Sequence, residues 1–281
     1  MSQTWTVVVP VKRLGVAKSR LRGALPAVPH ESLALALAAD TLRAVAACAP
    51  VGEVVVVTDD ARVAAATRDT GRAGRRARLR VVPDVPAAGL NAALRHGAAL
   101  AGGTGVAALT ADLPALRPAD LAAALRAAAG VRGYVADAPG DGTVLLTAPA
   151  GVPLDPRFGA GSATAHAASG AVPLTGDWPT LRRDVDTPAD LVAAARLGLG
   201  PRTAALVGGG AVYGDAMQGT VASYDAATRS GVLLLDDGTE LPFPARAFDA
   251  SGLRMLRLGQ RLRVETDAAG EVVRVTFPTM A

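Results

Sequence analysis

Both lysines of this 281-residue chain lie in one stretch, VPVKRLGVAKSRL at Val9–Leu21, where Lys12 and Lys18 are joined by Arg13 and Arg20, with Arg22 just beyond. An ammonium is a compact charge suited to a single phosphate oxygen, and a guanidinium can clamp two. The stretch therefore reads as a phosphate-binding loop, against the plainer alternative of a basic surface loop. It is neither G-x-x-x-x-G-K-[ST] nor G-x-G-x-x-G. The acids that could answer it are Asp112, in LTADLP after an apolar run, and Asp184 and Asp186, in RRDVDTPADL. The latter two alternate about Val185, so in an extended segment both face one side. Three carboxylates offer the hard oxygen ligands that Mg²⁺ prefers. Such a cation is what a nucleotidyl transfer needs between the α-phosphate and the departing pyrophosphate. Helix capping and dipole compensation are the competing uses of such acids, and they suit Asp120 and Asp190 better.

Two further segments carry weaker signals. RFGAGSATAH at Arg157–His166 places Gly159 and Gly161 ahead of an Ala-rich helix beginning at Ser162. Backbone N–H groups and a hydroxyl at a helix start can hold a carboxylate or phosphate. His166 shares the helix face of Ser162, either supporting that contact from behind or as a satisfied core histidine. A nucleophilic Ser–His pair is disfavoured because no G-x-S-x-G elbow is present. In PDVPAAGLNAAL, Gly89 and Asn91 sit at a helix start, where an Asn amide could read a base or ribose edge or simply cap the helix.

The elements that must position these residues follow from periodicity. Thr4–Pro10, Glu53–Thr58, Leu79–Pro83 and Gly105–Thr110 are short, Val-rich and nearly continuous in hydrophobicity, as expected of a parallel sheet covered on both faces. Between them, Glu31–Ala47, Ala61–Thr70, Leu90–Ala101 and Pro118–Ala129 read as helices. This alternation implies a doubly wound α/β (Rossmann-like) domain whose ligands lie beyond the strand ends, where the basic loop and Asp112 fall. Gly133–Ala138 and Thr143–Thr147 read as two more strands, and Pro188–Leu197 as a helix capped by Thr187. Arg72, Arg75, Arg76, Arg78 and Arg80 form a basic run read as a solvated loop.

From Gly200 the texture changes. Five short strands are expected at Gln218–Tyr224, Gly231–Leu235, Glu240–Phe243, Arg261–Thr266 and Glu271–Phe277, enough for a small all-β barrel of the OB type. The division is 1–203 for the α/β domain, 204–214 for a linker and 215–281 for the barrel. From Gly214 onward there are 7 Lys/Arg against 9 Asp/Glu, although the whole chain is +4. Half the residues are hydrophobic, too many for a disordered chain. No run approaches a membrane span, no signal peptide opens the chain, and the single Cys48 is expected to be a buried thiol. A cytoplasmic protein is expected.

Taken in order, VPVKRLGVAKSRL, GLNAAL, LTADLPAL, FGAGSATAH and RRDVDTPADL resemble the guanylyltransferases of coenzyme F-420 biosynthesis, across residues 5–200. The resemblance implies a nucleotidyltransferase domain using GTP as co-substrate and Mg²⁺ as cofactor. It implies catalytic roles for Lys12, Lys18 and Asp112, and nucleotide contacts from Lys12, Arg13, Lys18, Arg20, Gly89 and Asn91. It also implies metal ligation by Asp112, Asp184 and Asp186, with a phosphorylated three-carbon acid held by Thr143, Gly159 and Ser162. That acid is phosphoenolpyruvate or 2-phospho-L-lactate; the Arg-for-Lys, Ala-rich composition suggests a GC-rich, actinobacterial source, for which the resemblance favours phosphoenolpyruvate. One departure is Val144 after Thr143, where the family has adjacent polar residues. The alternatives are a cofactor or sugar-phosphate nucleotidyltransferase using another triphosphate, or a nucleic-acid-binding protein with a degenerate transferase domain. The tail, QGTVASYDAATRSGVLLLDDGTELPF with LRLGQRLRVE, is similar to a cold-shock domain. Its acidic balance and missing surface aromatics argue against nucleic acid. A second copy of the chain or a downstream pathway enzyme is the further partner to look for.

Overall fold

The computed structural model describes residues 4–25, 28–70, 77–85, 87–128, 130–208, 217–235, 238–266 and 271–277. Strand β1 (Trp5–Pro10) is followed by the basic loop, helix α1 (His30–Ala47), β2 (Val51–Val57), α2 (Ala61–Thr70), β3 (Arg78–Val82), α3 (Leu90–Ala98), β4 (Gly105–Leu109) and α4 (Pro118–Ala127). Then come β5 (Gly133–Ala136), β6 (Thr143–Ala148), α5 (Ser162–Ala168), β7 (Val172–Pro173), α6 (Pro179–Arg182), α7 (Pro188–Leu197) and α8 (Pro201–Gly208).

The seven strands form one sheet in the order β3-β2-β1-β4-β6-β5-β7. β3, β2, β1 and β4 are parallel. The central strands carry near-continuous Val and Ala runs, with Val7, Val8 and Val9 all fully buried, whereas β3 at the sheet edge has Arg78 and Arg80 among its residues. β6 pairs antiparallel with both β4 and β5, so the sheet is mixed rather than wholly parallel. The turn at Pro139–Gly142 makes β5 and β6 a hairpin, which can only run antiparallel. α3 packs close on the sheet: a Cβ at Gly97 would lie 2.4 Å from Val8 Cγ1, so glycine is required there by contact. Cys48 is fully buried, and burial pushes its thiol up to about 12.

The carboxyl ends of β1 and β4 meet at the centre of the sheet, where ligands of open α/β folds bind. The backbone N–H of Val185 donates to the carbonyl of Asp112 at 3.0 Å, so the RRDVD segment is stitched onto the residue just beyond β4. Val185 is fully buried among Leu21, Leu25, Leu37 and Leu191, a contribution of roughly 1.5–3 kcal/mol, and this anchors the segment between its two acids. α7 then starts with a reciprocal cap: Asp190 N donates to Thr187 Oγ1, and Thr187 N donates to Asp190 Oδ2.

α8 runs through 204–208, where the sequence reading begins its linker, because Asp40 of α1 accepts the N–H groups of Arg202 and Thr203 at its start. The remainder of that linker, Arg72, Arg75 and Arg76, and the Asp236–Asp237 turn lie outside the described residues.

The second sheet contains β8 (Met217–Asp225), β9 (Ser230–Leu235), β10 (Glu240–Phe243), β11 (Arg261–Thr266) and β12 (Val272–Thr276), with α9 (Ala245–Asp249) between β10 and β11. Its order, β10-β9-β8-β11-β12, is antiparallel throughout. That is a small five-stranded antiparallel β domain with a helix between its third and fourth strands. Its core is separate, built on Val221, Leu233, Phe243, Phe248 and Val275.

Candidate active site

A cleft of about 480 Å³ opens beyond the ends of β1 and β4, within the range of small-molecule sites. Lys12, Lys18, Arg20, Asp112 and Asp186 line its polar side; Leu90, Leu94, Leu109 and Phe158 line the apolar side. Lys18 begins a short 3-10 turn with φ 53° and ψ 42°, the left-handed region that side chains disfavour. That backbone turn carries its ammonium to the floor of the cleft, where it donates to Asp112 Oδ2 and to Asp186 Oδ1. Burial by itself would lower the Lys18 pKa, but the two carboxylates outweigh it and hold the ammonium firmly protonated. Asp184 stands behind the pair. Burial first, then the charges of Asp112 and Asp186, push its carboxyl up to about 7. Asp112 Oδ1 is buried without a hydrogen-bond partner.

The remaining predicted residues fall into two groups. Lys12 and Arg20 are exposed on the cleft wall, while Arg13 and Gly89 are outside the lining, Gly89 as the N-cap of α3 with φ 90°. Asn91 neither caps its helix nor faces the cleft. Its Nδ2 donates to the Phe158 carbonyl at 3.0 Å and its Oδ1 accepts the Phe158 N–H at 2.8 Å, so it holds the backbone that presents the Phe158 ring.

Thr143, Gly159 and Ser162 come together around His166. The Arg157 N–H donates to His166 Nε2 at 2.9 Å, which leaves the ring proton on Nδ1 to donate to Thr143 Oγ1, also 2.9 Å away. His166 is fully buried, edge-on to Phe158, and burial lowers its pKa to about 4, so the ring is neutral. It is a satisfied core histidine that braces the 155–161 loop. Ser162 is also buried, and its N–H donates to the Gly159 carbonyl. The anion expected at the start of α5 is supplied by the chain itself: Asp141 Oδ2 accepts the Gly161 N–H at 3.2 Å.

Two positioning carboxylates went unread in the sequence. At the end of β2, Asp60 Oδ2 accepts the Leu14 N–H at 3.0 Å and Asp59 Oδ1 accepts the Asp84 N–H at 3.1 Å. Each ties a neighbouring cleft loop to the second strand. The available signal was VTDD directly after an apolar strand, in the position Asp112 occupies after β4.

The family model described as "Guanylyl transferase CofC like" matches residues 5–169. A protein of Salinispora arenicola (strain CNS-205) named phosphoenolpyruvate guanylyltransferase is 70% identical over 211 residues, spanning 74% of this chain and 95% of its own. The chain belongs to the CofC-like guanylyl transferase family. A second relative of the same name, from Geodermatophilus obscurus, is 55% identical over 215 residues, covering 74% of this chain and 96% of its own. Among solved structures, one named as a nucleotide-diphospho-sugar transferase from Desulfovibrio desulfuricans G20 aligns with TM-score 0.51 and 16% identity, over 73% of this chain and 94% of that one. At that identity it establishes the nucleotidyltransferase fold of this family member and nothing finer. No helix among the described residues is long and apolar enough to cross a membrane.

Proposed function

We propose that the protein transfers GMP from GTP to phosphoenolpyruvate with release of pyrophosphate. The observation that carries this reading is the meeting of Lys18 with Asp112 and Asp186 on the cleft floor, in a chain 70% identical to a phosphoenolpyruvate guanylyltransferase.

The donor set is all carboxylate oxygen, which suits a hard divalent cation, and Asp112 Oδ1 is buried with an unused lone pair. No three His, Cys, Asp or Glu side chains among the described residues converge as a ready-made cage. Mg²⁺ needs none, being commonly held by one or two carboxylates together with substrate phosphates. Asp112 and Asp186 would hold it, with Asp184 adjacent, and the ion would supply charge neutralisation at the reacting phosphate.

Lys12, Lys18 and Arg20 would gather the triphosphate, with Arg13 at the rim. Leu90, Leu94 and Phe158 offer an apolar wall to the base, Phe158 being kept in place by Asn91. The phosphorylated acid would lie beside Phe158 at the Gly159–Gly161 loop; Thr143 and Ser162 are buried and outside the cleft lining, so they would support that loop from behind. An acid arriving there would have to displace Asp141 from the Gly161 N–H. The acceptor phosphate is already an anion, so it attacks the α-phosphorus without a general base. A P–O bond to phosphoenolpyruvate forms as the bond to pyrophosphate breaks. Orientation and fixed positive charge supply the catalysis.

The test is to mix protein, Mg²⁺ and each nucleoside triphosphate with phosphoenolpyruvate or 2-phospho-L-lactate and follow pyrophosphate. Release with GTP and phosphoenolpyruvate is expected. Release with CTP or UTP in place of GTP, or with 2-phospho-L-lactate and not phosphoenolpyruvate, would refute the assignment.

A further inference from the structure

The Lys18 ammonium lies between the two carboxylates to which the cation is assigned above, and this inference rests on that reading. Lys18 and Asp112 are mostly buried, with 17% and 16% of their side chains exposed. Lys18 is one of four non-glycine residues with positive φ among those described. A residue in the left-handed region persists only where its surroundings hold it; here the Lys18 carbonyl accepts the Leu21 N–H and its ammonium pairs with the two carboxylates. Without that ammonium, Asp112 and Asp186 would lose the cation that both of them contact. A divalent cation drawn to Asp112 and Asp186 would meet a positive charge already in its path.

We propose that Lys18 is the resident counter-ion of the cation site and that it couples metal entry to nucleotide entry. While the cleft lacks a triphosphate, the ammonium neutralises Asp112 and Asp186 and opposes a divalent ion. A triphosphate in the cleft gives the ammonium another anion to pair with, and the two carboxylates become available. Because coupling between two ligands is reciprocal, the metal strengthens triphosphate binding by the factor with which the triphosphate strengthens metal binding. Lysine suits the task better than arginine, since a point charge on a four-carbon stem can swing between partners.

Mn²⁺ alone, titrated into the full-length protein and followed by the loss of its free-ion electron paramagnetic resonance signal, tests this. Two variants are used: Lys18→Met, and Lys18→Gly, which removes the ammonium while suiting φ 53°. Both are expected to bind Mn²⁺ about tenfold or more tighter than the unaltered protein, since a charge of like sign has been removed from the site. Adding Asp112→Asn to either variant is expected to abolish the gain. Equal or weaker Mn²⁺ affinity in both Lys18 variants would overturn the inference, as would a gain that survives Asp112→Asn. If affinities were equal but fell on Asp112→Asn, Lys18 would not guard the site and the cation assignment would stand. If Asp112→Asn changed nothing in any background, the cation assignment would fail and take this inference with it.

Discussion

Replacing His166 with Leu separates the brace from the chemistry and makes a pH-dependent prediction. The imidazole is fully buried, accepts the Arg157 N–H and donates to Thr143 Oγ1. Leucine fills similar space but strands both partners, at about 2–4 kcal/mol in total at pH 7. The wild-type ring has a folded-state pKa of about 4, against 6.5 in the unfolded chain. Its folded pKa is depressed, so the folded state resists a proton that the unfolded state accepts. The contribution is complete above pH 6.5 and is lost as pH falls toward 4. At pH 4.5 it has lost roughly 2–3 kcal/mol by linkage. The variant lacks this group, so the stability gap between the two proteins should shrink by about that amount between pH 7 and pH 4.5. Urea unfolding followed by tryptophan fluorescence reads it cleanly, because Trp5 and Trp178 both belong to the core of the first sheet. A gap that stays constant with pH would refute the buried neutral histidine and the tautomer assigned to it.

Asp112→Asn should lower kcat/KM for pyrophosphate release by at least about 10²-fold with unchanged circular dichroism, since the substitution removes charge and little volume. A loss of less than tenfold would mean Asp112 does not serve the reacting phosphates. Asp60→Ala should raise KM for GTP several-fold by freeing the Leu14 and Arg62 N–H groups, while Asp60→Asn keeps one acceptor, for Leu14, and should lose less than Asp60→Ala. Steady-state kinetics in which both variants suffer alike would place the effect on charge instead. A chain ending at Gly208 should retain measurable pyrophosphate release, because every residue lining the cleft precedes that point. A folded but inactive truncation would assign the second sheet to the active site.

The parallel half of the first sheet was legible because strands covered on both faces need unbroken apolar runs, and β1, β2 and β4 have them. The hairpin of β5 and β6 was signalled by the turn at Pro139–Gly142, but the antiparallel docking of β6 on β4 was not, since periodicity reports burial and carries no direction. α8 was hidden for a different reason: its start is capped by Asp40, some 160 residues earlier, and no local cap signals it. In the site, the RRDVD segment was readable as an acid-bearing stretch, and Asp186 does line the cleft, while Asp184 is outside its lining. Asn91 and His166 were readable as polar groups near the cleft, but Asn91 bonds the backbone of Phe158, 67 residues on, and His166 bonds the Arg157 N–H and the Thr143 hydroxyl. Spacing alone could not distinguish a brace from a contact. Asp141 at the Gly161 N–H shows the same limit, since a distant loop met the need of a helix start that composition left open.

The most direct measurement is the anomalous scattering of Mn²⁺ in crystals grown with GTP. A peak within about 2.2 Å of carboxylate oxygens of both Asp112 and Asp186, with a triphosphate oxygen completing the contact, is the predicted result. A Mn²⁺ peak elsewhere, with GTP bound away from Lys12 and Lys18, would contradict the assignment of this cleft as the place where GMP is transferred.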